Sequence, residues 1–188
     1  INKQRRDTYV RQSKLDGYRA RSAYKLIEID EKFKIFKGDI SVIDLGAAPG
    51  GWCQVSRELI GSDGAVIGID KLDIKKIDGI EFYKANIGDN IFKYELLNLN
   101  IKKFDVILSD MAPNTTGHGS TDHLRIINLV ELAIDTANQY LKKNGFFVCK
   151  VFQGGAQGKL LEFMNLHIKE IKYFKPDASR KESPETYL

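Results

Sequence analysis

Ser41-Val42-Ile43-Asp44-Leu45-Gly46-Ala47-Ala48-Pro49-Gly50-Gly51-Trp52 decides the fold. A short, mostly apolar run at Ser41–Leu45 is followed by a glycine-rich turn over residues 46–51 and then by a segment that reads as helix from Trp52 to Ile60, with Gly61 as its stop. An apolar run bounded by turn residues is the pattern of a buried strand, so the stretch predicts strand, loop and helix in succession. Upstream, Leu26, Ile29, Phe33 and Phe36 recur at helical spacing between Arg19 and Phe36, with Gly38 as a stop. Downstream, strands are expected at Ala65–Asp70, Glu81–Ala85, Phe104–Ser109, Gly145–Phe152, Glu170–Phe174 and Thr186–Leu188. Helices are expected from Ile126 to Leu141, ending at Gly145, and at Leu160–His167. Continuous apolar strands alternating with helices predict an α/β fold: a mostly parallel, seven-stranded sheet with helices on both faces.

In such sheets ligands bind beyond the carboxyl ends of the strands. Those ends carry Asp44-Leu45-Gly46, Asp70, Asn86, Asp110 and Lys150. The loop spacing Gly46-x-Ala48-x-x-Gly51 departs from the dinucleotide fingerprint at its second glycine, and Pro49 removes an N–H donor. Both features disfavour a nicotinamide oxidoreductase. S-adenosylmethionine needs no pyrophosphate cradle, and Asp70 at the end of the second strand suits its ribose hydroxyls. Two other motifs fall away. Gly154–Leu160 resembles a phosphate loop but has Gln153 where the first glycine belongs and Leu160 at the hydroxyl position, and Asn114-Thr115-Thr116 is a glycosylation sequon without secretory context.

At 188 residues the chain is expected to form one domain over 1–188, with 1–18 as a basic N-terminal arm. Hydrophobic residues make up 43% and charged residues 29%, which excludes collagen-like, low-complexity and disordered classes. No apolar run approaches the roughly 18 residues of a membrane helix, so no membrane partner is expected. Cys53 and Cys149 are the only cysteines, which argues against a disulfide framework or zinc knuckle and for a reducing intracellular compartment, cytoplasmic or organellar (mitochondrial). His118, His123 and His167 lack ligand-like spacing, and no metal is expected.

Charge is uneven. Residues 1–25 hold eight basic side chains against two acidic ones, so of the chain's net +4 the remaining residues carry a negative balance. Arg5, Arg6, Arg11, Arg19 and Arg21, interleaved with Tyr9, Tyr18 and Tyr24, make an RNA footprint: cations neutralise phosphates and rings stack on unpaired bases. The plainer alternative is a solvated basic arm. Lys172, Lys175, Arg180 and Lys181 would extend the same face.

Five segments together carry a family resemblance: Arg19-Ala20-Arg21-Ser22-Ala23-Tyr24-Lys25-Leu26, the 46–52 loop, Asp110-Met111-Ala112-Pro113-Asn114, Lys150-Val151-Phe152-Gln153-Gly154, and Lys175-Pro176-Asp177-Ala178-Ser179-Arg180 before Glu185. In this order they resemble the FtsJ-type RNA ribose 2′-O-methyltransferases, from Arg5 to Leu188. The resemblance implies a Rossmann-like, S-adenosylmethionine-dependent fold, release of S-adenosylhomocysteine, and a catalytic tetrad of Lys25, Asp110, Lys150 and Glu185. It implies cofactor contacts from Gly46, Pro49, Gly50, Gly51, Trp52, Asp70, Asn86 and Asp110. The family usually has an acid where Asn86 stands; the amide oxygen of Asn86 can still accept from an adenine amine. Lys150 is expected either to deprotonate the ribose hydroxyl or to orient it and stabilise the developing oxyanion. The 46–52 loop and the Asp110 segment are more similar to the branch acting on a uridine of large-subunit ribosomal RNA, within a ribosomal subunit or as free RNA. The N-terminal stretch is also similar to the branch acting on tRNA anticodon loops. A catalytically silent RNA-binding or ribosome-assembly factor is the alternative outside enzymes, disfavoured by the intact tetrad. A monomer is expected.

Overall fold

In the computed structural model, which describes residues 8–89, 92, 96, 101–113, 119–152, 168–180 and 182–188, the expected first strand is the centre of the sheet. Strand β1 (Ser41–Leu45) pairs in parallel with β2 (Ala65–Asp70) on one side and with β4 (Phe104–Ser109) on the other. All five of its residues are buried, which is why it reads as an apolar run rather than an alternating one. Parallel pairing continues outward from β2 to β3 (Ile80–Lys84) and from β4 to β5 (Leu141–Phe152). Strand β6 (Glu185–Tyr187) closes the far edge antiparallel to β5, giving the order β3-β2-β1-β4-β5-β6.

Four helices are described: α1 (Thr8–Leu15), α2 (Ala23–Phe33), α3 (Gly51–Leu59) and α4 (Gly119–Tyr140). Alternate residues of β1 feed two cores. Ile43 and Leu45 pack with Val130, Ala133, Ile134 and Ala137 of α4. Val42 packs with Ala23, Leu26 and Ile29 of α2 and Trp52, Cys53 and Val55 of α3. The sheet is thus covered on both faces, as the pattern required.

The described sheet has six strands rather than seven. The expected strand Glu170–Phe174 is reduced to one bridge, where Phe174 and Tyr187 exchange N–H···O bonds of 2.9 and 2.8 Å. Glu170 and Lys172 pair with each other in solvent at 3.2 Å while Ile171 packs against the core, and of this stretch only Phe174 is bridged to the sheet edge. Helix α2 stops at Phe33, before the expected Gly38, because Lys34 adopts the left-handed conformation and donates its N–H to Asp30. The expected helix Leu160–His167 lies outside the described residues.

Candidate active site

The loop after β1 spends its own backbone donors. Gly46 and Ala47 donate N–H to the Ile69 carbonyl at 2.8 and 3.1 Å, Ala48 to Asp70 Oδ2 at 3.0 Å, and Gly50 to the Ala47 carbonyl at 2.6 Å. Pro49 has no N–H. A phosphate cradle needs free amides, and residues 46–50 offer none. Two glycines are required by geometry. Gly46 sits at φ +78° with the Met111 side chain where a Cβ would be, and Gly50 caps α3 at φ +108°.

This loop roofs a crevice of about 50 Å³ lined by Ser22, Asp44, Gly46, Ala47, Ala48, Pro49, Gly51, Trp52 and Asp110. Trp52 is buried, donates Nε1–H to the Ser22 carbonyl at 2.8 Å and packs 5.7 Å from the Tyr187 ring. Asp70 stands behind the loop, one carboxylate oxygen taking the Ala48 N–H and the other the Leu72 N–H at 2.8 Å. Asn86 is exposed and outside the crevice's lining, next to Ala85, whose N–H reaches the Asp70 carbonyl at 2.9 Å.

Asp44 was not singled out as a binding residue from sequence, yet it lines the crevice with 1% of its surface exposed. Burial pushes its carboxyl up to about 7, the nearby Asp110 and Asp70 add to the rise, and a Cys53 S–H donated at 3.3 Å opposes it. The readable signal was an acid inside a strand otherwise buried and apolar.

The four tetrad positions come together from α2, the exit of β4, β5 and β6, linked by a residue that sequence reasoning missed. Lys25 Nζ donates to Glu185 Oε2 and to Tyr187 Oη, both at 3.1 Å. Tyr187 Oη donates to Asp110 Oδ1 at 2.6 Å. Lys150 Nζ lies 3.0 Å from the same Oδ1 and donates to the Asp110 carbonyl at 2.6 Å. A continuous chain therefore runs Glu185, Lys25, Tyr187, Asp110, Lys150. Burial and the Asp110 charge push the Tyr187 hydroxyl well above its usual range, so it stays a donor. Burial opposes ionisation of Glu185, but Lys25 and Lys150 outweigh it and hold the carboxyl below its ordinary value. The missed signal was strand periodicity: two residues beyond Glu185, Tyr187 must point to the same face.

Beside the Lys25–Glu185 pair opens a cavity of about 340 Å³ lined by Arg21, Ser22, Lys25, Arg180, Glu182, Ser183 and Glu185. Arg21 donates to the Ala178 carbonyl, and Glu28 accepts the N–H groups of Asp177 and Ala178 at 2.5 and 3.0 Å. These bonds fasten the turn that carries Arg180 onto α2. Arg11 is exposed on α1, and Arg5 and Arg6 lie outside the described residues. Arg19 does not line this cavity; its guanidinium is held by backbone carbonyls. The tyrosines expected to offer rings to bases pack on one another: Tyr24 lies 5.5 Å from Tyr9 and 5.7 Å from Tyr18.

Comparison with known proteins agrees with this layout. The model of the FtsJ-like methyltransferase family matches residues 18–188. Ribosomal RNA large subunit methyltransferase E of Acidiphilium cryptum is 48% identical over 186 residues, covering 99% of this chain and 82% of that protein. Its namesake in Rickettsia akari is 44% identical over 193 residues, covering 100% of this chain and 85% of the relative. A crystal structure described as a ribosomal RNA methyltransferase from Plasmodium falciparum superposes with a TM-score of 0.77 at 32% identity, over 90% of this chain and 95% of that one. With the match running through every element that builds the crevice and the tetrad, the chain belongs to the FtsJ-like methyltransferase family.

Proposed function

We propose that the chain transfers the methyl group of S-adenosylmethionine to a ribose 2′-hydroxyl of large-subunit ribosomal RNA, in a compartment that holds ribosomes and as a monomer. One observation carries the chemistry: Asp110 belongs to both halves of the site, lining the crevice and anchoring Lys150 through its carboxylate and its carbonyl.

The donor set suits this cofactor. The crevice presents the carboxylates of Asp44 and Asp110, while the loop offers no amide from 46 to 50 to an anion. A cationic sulfonium and ammonium match that field, and a pyrophosphate does not. Asp44, Asp110 and the loop backbone would hold the amino-acid part, with Asp70 and Asn86 towards the ribose and adenine. S-adenosylmethionine, when bound, supplies an activated methyl carbon, so the protein's task is to bring an oxygen into line with it and manage one proton.

Lys150 is the residue that acts on that oxygen. Two of its tetrahedral directions are fixed by Asp110. The remaining one is left for the hydroxyl, which Lys150 either deprotonates or orients while the developing charge is stabilised. Lys25, held between Glu185 and Tyr187, stabilises the negative charge that develops on the oxygen. The 340 Å³ cavity, with Arg21 and Arg180 in its wall, supports an RNA strand reaching the site from this side. The names of the relatives support ribosomal RNA of the large subunit over other RNAs.

The test is a substrate panel. With methyl-labelled S-adenosylmethionine, label should enter large-subunit RNA or large subunits and not tRNA or small-subunit RNA. Label on tRNA alone would overturn the ribosomal assignment.

A further inference from the structure

We propose that Arg19 is a positioning residue for the cofactor crevice rather than an RNA contact. Its guanidinium is a clip between two loops. Nη1 donates to the Pro49 carbonyl at 3.2 Å and to the Lys75 carbonyl at 2.5 Å, and Nη2 donates to the Lys76 carbonyl at 2.9 Å. Pro49 lines the crevice, and Lys75 and Lys76 belong to the segment that leaves β2 after Asp70. Asp70 makes a second clip between the same two segments, taking the N–H groups of Ala48 and Leu72. A carboxylate thus gathers donors and a guanidinium gathers acceptors across one seam. The seam is tight: a Cβ on Gly50 would come within 3.2 Å of Ile77 and 3.4 Å of the Arg19 guanidinium.

Arg19 is itself held in place. Its backbone N–H donates to Gln54 Oε1 at 2.8 Å, and Gln54 Nε2 donates to the Gly17 carbonyl at 3.0 Å, so α3 fixes the chain at Arg19 and two residues before it. Three carbonyls on one planar fork is a role that lysine cannot fill. A lysine keeps the charge but presents a single nitrogen on a flexible stem. That difference separates the two readings, since a phosphate contact tolerates lysine and this clip does not.

The inference rests on the crevice being the S-adenosylmethionine site. Wild type, Arg19→Lys and Arg19→Ala are compared in three measurements: calorimetric titration with S-adenosylhomocysteine, the salt dependence of RNA affinity, and limited trypsin digestion. Both variants should bind S-adenosylhomocysteine roughly three- to thirtyfold more weakly, with lysine giving little rescue. Neither should change the salt slope for RNA, because no phosphate contact is lost. Tryptic cleavage after Lys75 and Lys76, both exposed in the clipped loop, should accelerate in both variants. Wild-type S-adenosylhomocysteine affinity in Arg19→Lys, or a lower salt slope in Arg19→Ala with cofactor binding intact, would overturn the proposal. If wild type itself fails to bind S-adenosylhomocysteine, the reading of the crevice falls, while digestion still decides the clip: unchanged cleavage refutes it. Should Arg19→Ala not fold, Arg19→Lys carries the comparison alone.

Discussion

Tyr187 concentrates what distinguishes this site from a set of surface ion pairs. Its ring is buried against Trp52, and its hydroxyl stands between Lys25 and Asp110. Tyr187→Phe keeps the ring and removes the bridge, so the single-turnover methylation rate should fall on the order of tenfold while cofactor affinity holds. A rate within twofold of wild type would make Tyr187 a packing residue only. Lys150→Ala should lose about 10²–10⁴ in rate, the range for a group that handles the proton. Lys150→Arg separates the two roles of that lysine, because arginine keeps the charge but does not deprotonate; substantial residual single-turnover activity would leave orientation as the whole of its contribution.

Asp44 gives a pH signature. Its carboxyl is raised from 3.8 to about 7, so between those values the folded chain holds a proton that the unfolded chain has released. Native stability without cofactor should therefore decline as pH rises through that window, by up to about 4 kcal/mol. Asp44→Asn should remove the decline in denaturant titrations at pH 5 and pH 8. The ionised form is the one that attracts a cation, so affinity for S-adenosylmethionine should rise from pH 6 to pH 8 in wild type and stay level in the variant.

Among the elements, the turn over 176–179 is held by side chains from α2 and from the turn just before it. Glu28 takes two of its N–H groups and Arg21 one of its carbonyls. Phe33 and Lys32 add an edge-on ring contact and a cation over Phe174, just upstream. Glu28→Ala should cost about 1–2 kcal/mol of stability in denaturant unfolding and weaken RNA binding, because Arg180 loses its support. Cofactor affinity should not change, since the crevice lies on the other side of Ser22. Helix α1 makes the opposite prediction. Arg11→Ala should leave stability intact and flatten the salt dependence of RNA affinity by roughly 0.7–0.9 in log–log slope. An unchanged slope would mean that Arg11 is merely solvated.

Across the whole molecule, legibility followed the range of the interactions. Strands β1, β2 and β4 were readable to the residue because burial on both faces leaves an apolar run with few alternatives. The 46–51 turn was readable because glycine and proline restrict or free the backbone locally. Asp110 and Lys150 were legible as polar strand ends, but their grouping with Lys25 and Glu185 came through resemblance alone; nothing in the spacing of positions 25 and 185 puts them 3.1 Å apart. Tyr187 escaped notice, and Asp44 was read only as one of several polar strand ends, because a tyrosine in a strand and an acid near a strand end are ordinary until their neighbours are known. Arg19 and Arg21 look alike in sequence, two residues apart among basic neighbours. Only the fold sends one guanidinium to the loop carbonyls beside the crevice and the other to the cavity lined by Arg180.

The reaction proposed for this crevice and this tetrad is methylation of a ribose oxygen. The direct measurement is alkaline hydrolysis of large-subunit RNA labelled by the protein with methyl-labelled S-adenosylmethionine, run beside Lys150→Ala. A 2′-O-methyl group blocks cleavage of the neighbouring phosphodiester, so the account predicts label in an alkali-resistant dinucleotide from wild type and almost none from the variant. Label released as ordinary mononucleotides, which would place the methyl on a base, or equal labelling by the variant, would contradict it.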